Sequence, residues 1–289
     1  MKKYIYLLAI IAVIAACKKP KDPEPVKEDP QVEPEKPAIQ LKQLIARDIQ
    51  NGDLLDMFIL FGYNSDGFVE TVYIEEKNKT GKLKYKTFNS ITYESKTKLS
   101  GSNCTKIIYD VDASKNDTVW ITKFIVYNND VVTIKKVTKT THHVMDGPTI
   151  TYEDKEKDFL YIELNNKNRM TKLWVNGGSY QGFEYDELGN YFKTSILSGK
   201  NPVYYLSHKY DNNKNPLKEV IPFGFFDRVV ETSLNPTIFL SYNNPTNINM
   251  SDTNPNGFQY VYDYNTEGYP IKRYAGSGNT DLVTLEYIY

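Results

Sequence analysis

The residues of this chain that could do chemistry are few, and their spacing serves no familiar reaction. The chain has 289 residues with three histidines and two cysteines. His142 and His143 are adjacent, so on a strand they point to opposite faces and do not share one metal ion. His208 stands before Lys209-Tyr210-Asp211-Asn212, which reads as the approach to a turn and makes it a cross-strand surface residue. Asp110-x-Asp112-x-Ser114-x-Asn116 alternates oxygen ligands like a calcium loop, but Lys115 holds the glycine position and Ile121 the place of the closing Glu. The segment therefore reads as a polar hairpin loop. No Gly-x-Ser-x-Gly elbow is present, and Cys104 has no neighbouring base. Cys104 is best explained as a small buried hydrophobe. The paired carboxylates of a glycosidase leave no trace in a sequence, because their separation is set in three dimensions. The sequence thus points to no catalytic residue, no metal and no cofactor.

Aromatic residues are the surplus, with 24 Tyr, 13 Phe and 2 Trp. Trp120 and Trp174 fall in strand-like runs, and Trp174 leads through Asn176-Gly177-Gly178-Ser179 to Tyr180. Exposed Trp and Tyr offer flat faces with a polar tip, suited to stacking on sugar rings. Trp174, Tyr180 and Trp120 are therefore the candidate ligand-binding residues. The competing explanation is that alternating aromatics form the core and cross-strand pairs of a twisted sheet.

The elements that would position these residues are strands. A corner recurs in Phe61-Gly62-Tyr63-Asn64-Ser65-Asp66-Gly67-Phe68, in Phe183-Glu184-Tyr185-Asp186-Glu187-Leu188-Gly189-Asn190 and in Tyr262-Asp263-Tyr264-Asn265-Thr266-Glu267-Gly268-Tyr269. A weaker copy, His208 to Asn215, lacks the glycine. Two aromatics at i and i+2 share one face of a strand. Asn64, Asp186 and Asn265 bond the backbone two residues on and start a turn, and Gly67, Gly189 and Gly268 supply the positive φ that ends it. Further hairpins are expected around Asn51-Gly52, between 118–127 and 131–137, and between 159–164 and 170–175; residues 282–289 form a last strand. Leu41, Leu44, Ile45 and Ile49 fit a strand or a helical stripe. The fold class expected is all-β, an antiparallel meander of hairpins forming a large twisted or curved sheet, with a two-sheet sandwich as the alternative. Residues 38–289 would be one such domain.

The chain begins Met1-Lys2-Lys3, followed by an apolar run from Tyr4 that ends Ile14-Ala15-Ala16-Cys17. That run is too short to span a bilayer as a helix and reads as an export signal over residues 1–16. Its end resembles the lipobox of bacterial lipoproteins. The resemblance implies cleavage before Cys17 and lipidation of that residue, hence a membrane partner through the anchor and an outer-membrane address, on either the surface-exposed or the periplasmic face. Residues 17–37 alternate proline with charge and form an extended tether. A formal net charge of −1 provides no basic footprint for nucleic acid.

The recurring corner is similar to the tyrosine-aspartate (YD) repeats of RHS-type proteins. It is more similar to Tyr-rich Bacteroidota lipoproteins of unknown function, which share the Asn243-Asn244-Pro245-Thr246 segment and the Gly268-Tyr269-Pro270 corner. That resemblance implies a fold and an envelope address without a chemistry. Two functions follow as expectations: a structural or protein-interaction module of the envelope, or a surface lipoprotein that captures glycans on Trp174 and Tyr180.

Overall fold

The computed structural model describes residues 40–50, 53–78, 80–95, 98–109, 116–143, 148–167, 169–175, 180–198, 201–220, 241–249, 257–276 and 283–289. The leader, Cys17, the tether, Asn51-Gly52, the Asp110–Lys115 part of the calcium-like spacing and the Asn176–Ser179 turn lie outside them.

Alternating burial drives the chain into strands. In Val69–Lys77, for example, Val72, Ile74 and Glu76 are buried while Thr71 is exposed and Tyr73 and Glu75 are half-buried, the period of two that a sheet requires. In chain order the strands are β1 Gln43–Gln50, β2 Asp53–Tyr63, β3 Val69–Lys77, β4 Leu83–Ser95, β5 Lys98–Ile108 and β6 Asp117–Asn128. Then come β7 Val131–His143, β8 Thr149–Leu164, β9 Met170–Trp174, β10 Tyr180–Tyr185, β11 Tyr191–Ser198 and β12 Asn201–Lys214. The last are β13 Asn243–Asn249, β14 Phe258–Tyr264, β15 Pro270–Ala275 and β16 Val283–Ile288. Each pairs antiparallel with its sequence neighbour, and β16 pairs back onto β1, with Gln43 opposite Ile288 and Ala46 opposite Leu285.

That last pairing overturns the expected architecture. The meander is neither an open twisted sheet nor a two-sheet sandwich; it closes into a barrel of sixteen strands. Closure leaves no edge strand at the chain ends to be protected. The 41–49 segment is a strand, because its alternating Leu44 and Ala46 continue the buried face of β2 and β16. Gln50 faces Asp53 across β1 and β2.

The weak fourth corner is not a hairpin. β12 runs on to Lys214, and the chain turns into a short helix, α1 Pro216–Val220. Asn215 caps it, its Oδ1 accepting from the Leu217 N–H at 3.1 Å, and Pro216 occupies the first turn, where its missing N–H costs nothing. Leu217 is fully buried and belongs to the core cluster.

The connections after even-numbered strands all lie at one rim, here the near rim, and those after odd-numbered strands at the far rim. The three strong corners therefore stand at the near rim. In each the Asx side chain accepts backbone N–H groups, as from Asp66 and Phe68 to Asn64 at 3.1 and 3.0 Å. The glycines have φ of 87°, 92° and 81°, and each corner adds a bulge to the ladder.

Candidate functional site

The inward faces carry the apolar residues. Leu44, Ile59, Ile74, Ile134, Ile162, Met170 and Leu285 are all essentially inaccessible and belong to one cluster that reaches from β1 through β11 to β16. Along the near rim, tyrosines tie each strand to its neighbour. Hydroxyls donate to backbone carbonyls from Tyr63 to Leu41 at 2.7 Å, Tyr185 to Met170 at 2.9 Å, Tyr262 to Pro245 at 2.9 Å and Tyr289 to Pro270 at 2.8 Å. Tyr93 and Tyr210 do the same to Val69 and Tyr191, while the Tyr127 hydroxyl accepts from the Leu99 N–H at 3.2 Å. In every case a Tyr near the end of an even-numbered strand reaches the start of the odd-numbered strand before it. Burial raises the phenols of Tyr63, Tyr93 and Tyr210 above their usual range, so they remain protonated donors. Seven of the 24 tyrosines make this lock, across seven strand pairs, a use of tyrosine not expected from the sequence. Its signal was the Tyr directly before Asn64 and Asp186.

Polar groups also enter the interior. Glu76 is buried and held by the Tyr85 hydroxyl and by Lys84 Nζ at 3.0 Å. Lys123, also buried, and Lys136 place their ammonium groups 5.9 and 4.8 Å from the Phe159 ring centroid. His208, expected on the surface, is only 6 % exposed. It alternates with Lys209, which takes the outward side, so the strand's parity turns His208 inward. Burial pushes its pKa down to about 4, and the ring lies 4.4 Å from that of Tyr191. Near α1, Lys218 and Arg169 both face the Tyr242 ring, at 5.5 and 5.6 Å. Burial, reinforced by the Arg169 charge, pushes the Lys218 amine down to about 8.

The outward faces carry charge. Glu75 pairs with Lys86 at 3.2 Å, Lys135 with Glu156 at 3.1 Å, and Arg47 with Asp56 at 3.6 Å and with Glu286. Glu184 and Lys193 stand opposite one another on β10 and β11. The outer wall also exposes large apolar side chains, among them Phe88, Trp120, Phe124, Val126 and Val261, while Glu76, Thr87, Asn89 and Lys123 are buried inside. Among the described residues no helix is long and apolar enough to cross a membrane.

Two outward rows of aromatics cross the strands. Trp174 pairs with Tyr161 on one side and with Tyr180 on the other, so the structure brings two of the three candidate residues together and adds Tyr161. The Tyr161 and Trp174 rings stack at 5.5 Å and 14°, and Lys172 Nζ lies 5.3 Å from Trp174 and 4.4 Å from Tyr180. Those faces are thus partly used within the row. Trp120 lies elsewhere, in a second row that runs Leu60, Tyr73, Phe88, Thr105, Trp120 across β2 to β6. Leu60, Phe88 and Trp120 are 43 %, 48 % and 40 % exposed.

The remaining sequence candidates serve structure. Cys104 is buried on the inward face of β5. His142 Nδ1 pairs with Asp117 Oδ2 at 2.8 Å and His143 Nδ1 with Thr149 Oγ1 at 3.1 Å. Among the described residues no three His, Cys, Asp or Glu side chains form a cluster able to hold a metal ion.

No family model and no curated protein matches this chain. Among solved structures it is similar to a porin-like protein from Bacteroides uniformis, at 12 % identity and a TM-score of 0.36, over 87 % of this chain and 98 % of that one. A porin-like protein from Bacteroides vulgatus is similar at 12 % identity and a TM-score of 0.35, over 86 % and 98 %.

Proposed function

We propose that this chain is a lipid-anchored protein of the bacterial outer membrane whose barrel stands in water as a closed structural or protein-interaction module. The observation that supports the reading is a wall with ion pairs on its outer side around an apolar core. A Lys or Arg facing lipid at mid-membrane costs about 2–4 kcal/mol, and this wall carries Lys86, Lys135, Lys193 and Arg47. Attachment then rests on Cys17 and its proline-rich tether, and contact with a partner on the row of Leu60, Phe88 and Trp120, which are exposed, with half-buried Tyr73 between the first two. Fractionation of cells expressing the full chain tests this. Wild type should sediment with membranes and incorporate labelled palmitate, and Cys17→Ala should do neither and stay soluble without detergent. A Cys17→Ala chain that still needs detergent would make the barrel itself membrane-embedded and refute the reading.

A second reading, glycan capture, draws support from the Tyr161, Trp174 and Tyr180 row. A polysaccharide gel shift abolished by Trp174→Ala would establish it, and no retardation by any glycan would remove it.

A further inference from the structure

The wall steps between β8 and β9. β8 pairs with β9 only from Tyr161, opposite Trp174, to Leu164, opposite Met170. From Thr149 to Asp158, β8 therefore has a ladder on its β7 side alone among the described residues, and every one of those side chains is exposed. The connection from Trp174 to Tyr180 is too short to cover this edge. Those two residues face each other, and the five residues between them can go out and return over less than about 10 Å, whereas Glu153 stands about 26 Å along β8 from Tyr161.

The two halves of the edge differ. Asp154, Lys155, Glu156, Lys157 and Asp158 are all charged, and the ladder with β7 shifts register beside them. Charges and bulges keep a strand edge from recruiting another strand. Thr149–Glu153 carries one charge and no proline, and its register is unbroken from His143 opposite Thr149 to Lys139 opposite Glu153. Its Thr-Ile-Thr-Tyr run is β-branched and aromatic, the composition that strands favour. Ile150 and Tyr152, 38 % and 58 % exposed, share one face, and Thr149, Thr151 and Glu153 share the other. Along such an edge alternate residues turn their N–H and C=O groups away from the ladder, which makes a template for a further strand.

The strand that fits this edge is the edge itself. Set antiparallel about Thr151, Ile150 of each copy faces Tyr152 of the other, Thr151 faces Thr151, and Thr149 faces Glu153. Aromatic with β-branched and Thr with Thr are favourable cross-strand pairs. Asp154 then falls opposite Pro148, so no two like charges meet. Centring one residue on, at Tyr152, would set Ile150 against Asp154, and centring at Asp154 would set two carboxylates face to face, which destabilises a sheet. Thr151 is about 33 Å along β8 from Tyr161, so the pairing does not force the two barrels together. We propose that two copies of this chain join as a two-fold dimer, β8 pairing antiparallel with β8 across Thr149–Glu153. Five paired residues bury less than the 1,200 Å² or so of a stable interface, so the dimer is weak and forms at high local concentration. The edge is separate from the row of Leu60, Phe88 and Trp120 and from the Trp174 row, and the dimer is independent of both readings of function.

The test is sedimentation equilibrium of the full chain carrying Cys17→Ala, from about 10 μM to about 1 mM, the range in which a weak interface associates. The average mass should rise toward twice that of the monomer, and hydrogen exchange at alternate amides of Thr149–Glu153 should slow in step. Thr151→Lys and Thr151→Glu each place like charges on the two-fold axis and should abolish the rise. A one-to-one mixture of the two variants, which sets Lys opposite Glu, should restore it. A chain that stays monomeric throughout, a dimer that survives both substitutions, or a mixture that stays monomeric overturns the proposal. If the variants do not fold, exchange at Thr149–Glu153 in the unsubstituted strand decides alone, and rates independent of concentration refute the pairing.

Discussion

Removing one hydroxyl from the tyrosine lock should cost far more than removing one from the outer wall. In Tyr262→Phe the ring and its packing persist, but the bond to the Pro245 carbonyl at 2.9 Å is lost within a buried setting. A protein hydrogen bond contributes about 1 kcal/mol net, and an acceptor left buried and unmet costs about 1–3 kcal/mol. The expected loss is therefore about 1–3 kcal/mol, or a drop of about 2–10 °C in Tm for a domain of this size. The control is Tyr161→Phe, whose hydroxyl bonds Asp158 on the exposed wall at 2.8 Å and should change stability by less than about 0.5 kcal/mol. Urea unfolding of the Cys17→Ala chain, followed by far-UV CD, measures both. Tyr63→Phe should behave like Tyr262→Phe. Because β15 and β16 separate the two locks along the barrel wall, the double variant should lose the sum of the two. If Tyr262→Phe and Tyr161→Phe prove equally mild, the tyrosines do not tie strand to strand and the account of the aromatic surplus fails.

Acid should weaken the fold through His208. The unfolded ring binds its proton below about pH 6.5 and the folded one only near pH 4; the unfolded state then holds more protons, and stability falls as pH drops through that window. Between pH 7 and 4 that difference amounts to about 3 kcal/mol, so His208→Gln should lose less urea resistance than wild type over that range. At the alkaline end, burial raises the Tyr127 and Tyr287 phenols to about 12. Absorbance at 295 nm should show exposed tyrosines ionising near pH 10 and the buried ones only above it, with unfolding; a single early transition would contradict the lock. Two glycines with positive φ should differ in cost. At Gly81 an added Cβ meets nothing within 4 Å, whereas at Gly189 it falls 2.6 Å from Arg169 and 2.8 Å from the Tyr242 ring. Gly81→Ala should therefore cost about 1 kcal/mol of backbone strain and Gly189→Ala measurably more by thermal melting.

Local elements were legible because their causes are local. The Asx-to-Gly spacing at Asn64, Asp186 and Asn265 needs only a side chain that bonds its own backbone and a residue tolerant of positive φ, so those corners and the strands between them follow from neighbouring residues. The 131–137 and 170–175 strands could be read for the same reason. Closure could not, because the pairing of Gln43 with Ile288 joins segments more than 200 residues apart, and nothing in either strand differs from those that pair with their neighbours. The inward turn of His208 depends on the parity of β12, which runs past the expected corner to Lys214; one shifted boundary moved the residue from surface to core. The tyrosine lock needs both partners in place, since a carbonyl such as that of Leu41 or Pro245 has no signature of its own. Composition and turn chemistry thus determined that the chain is all-β and where it bends. Which face turned inward, that the sheet closed, and which aromatics met or stood alone were decided only when strands distant in sequence became neighbours in space.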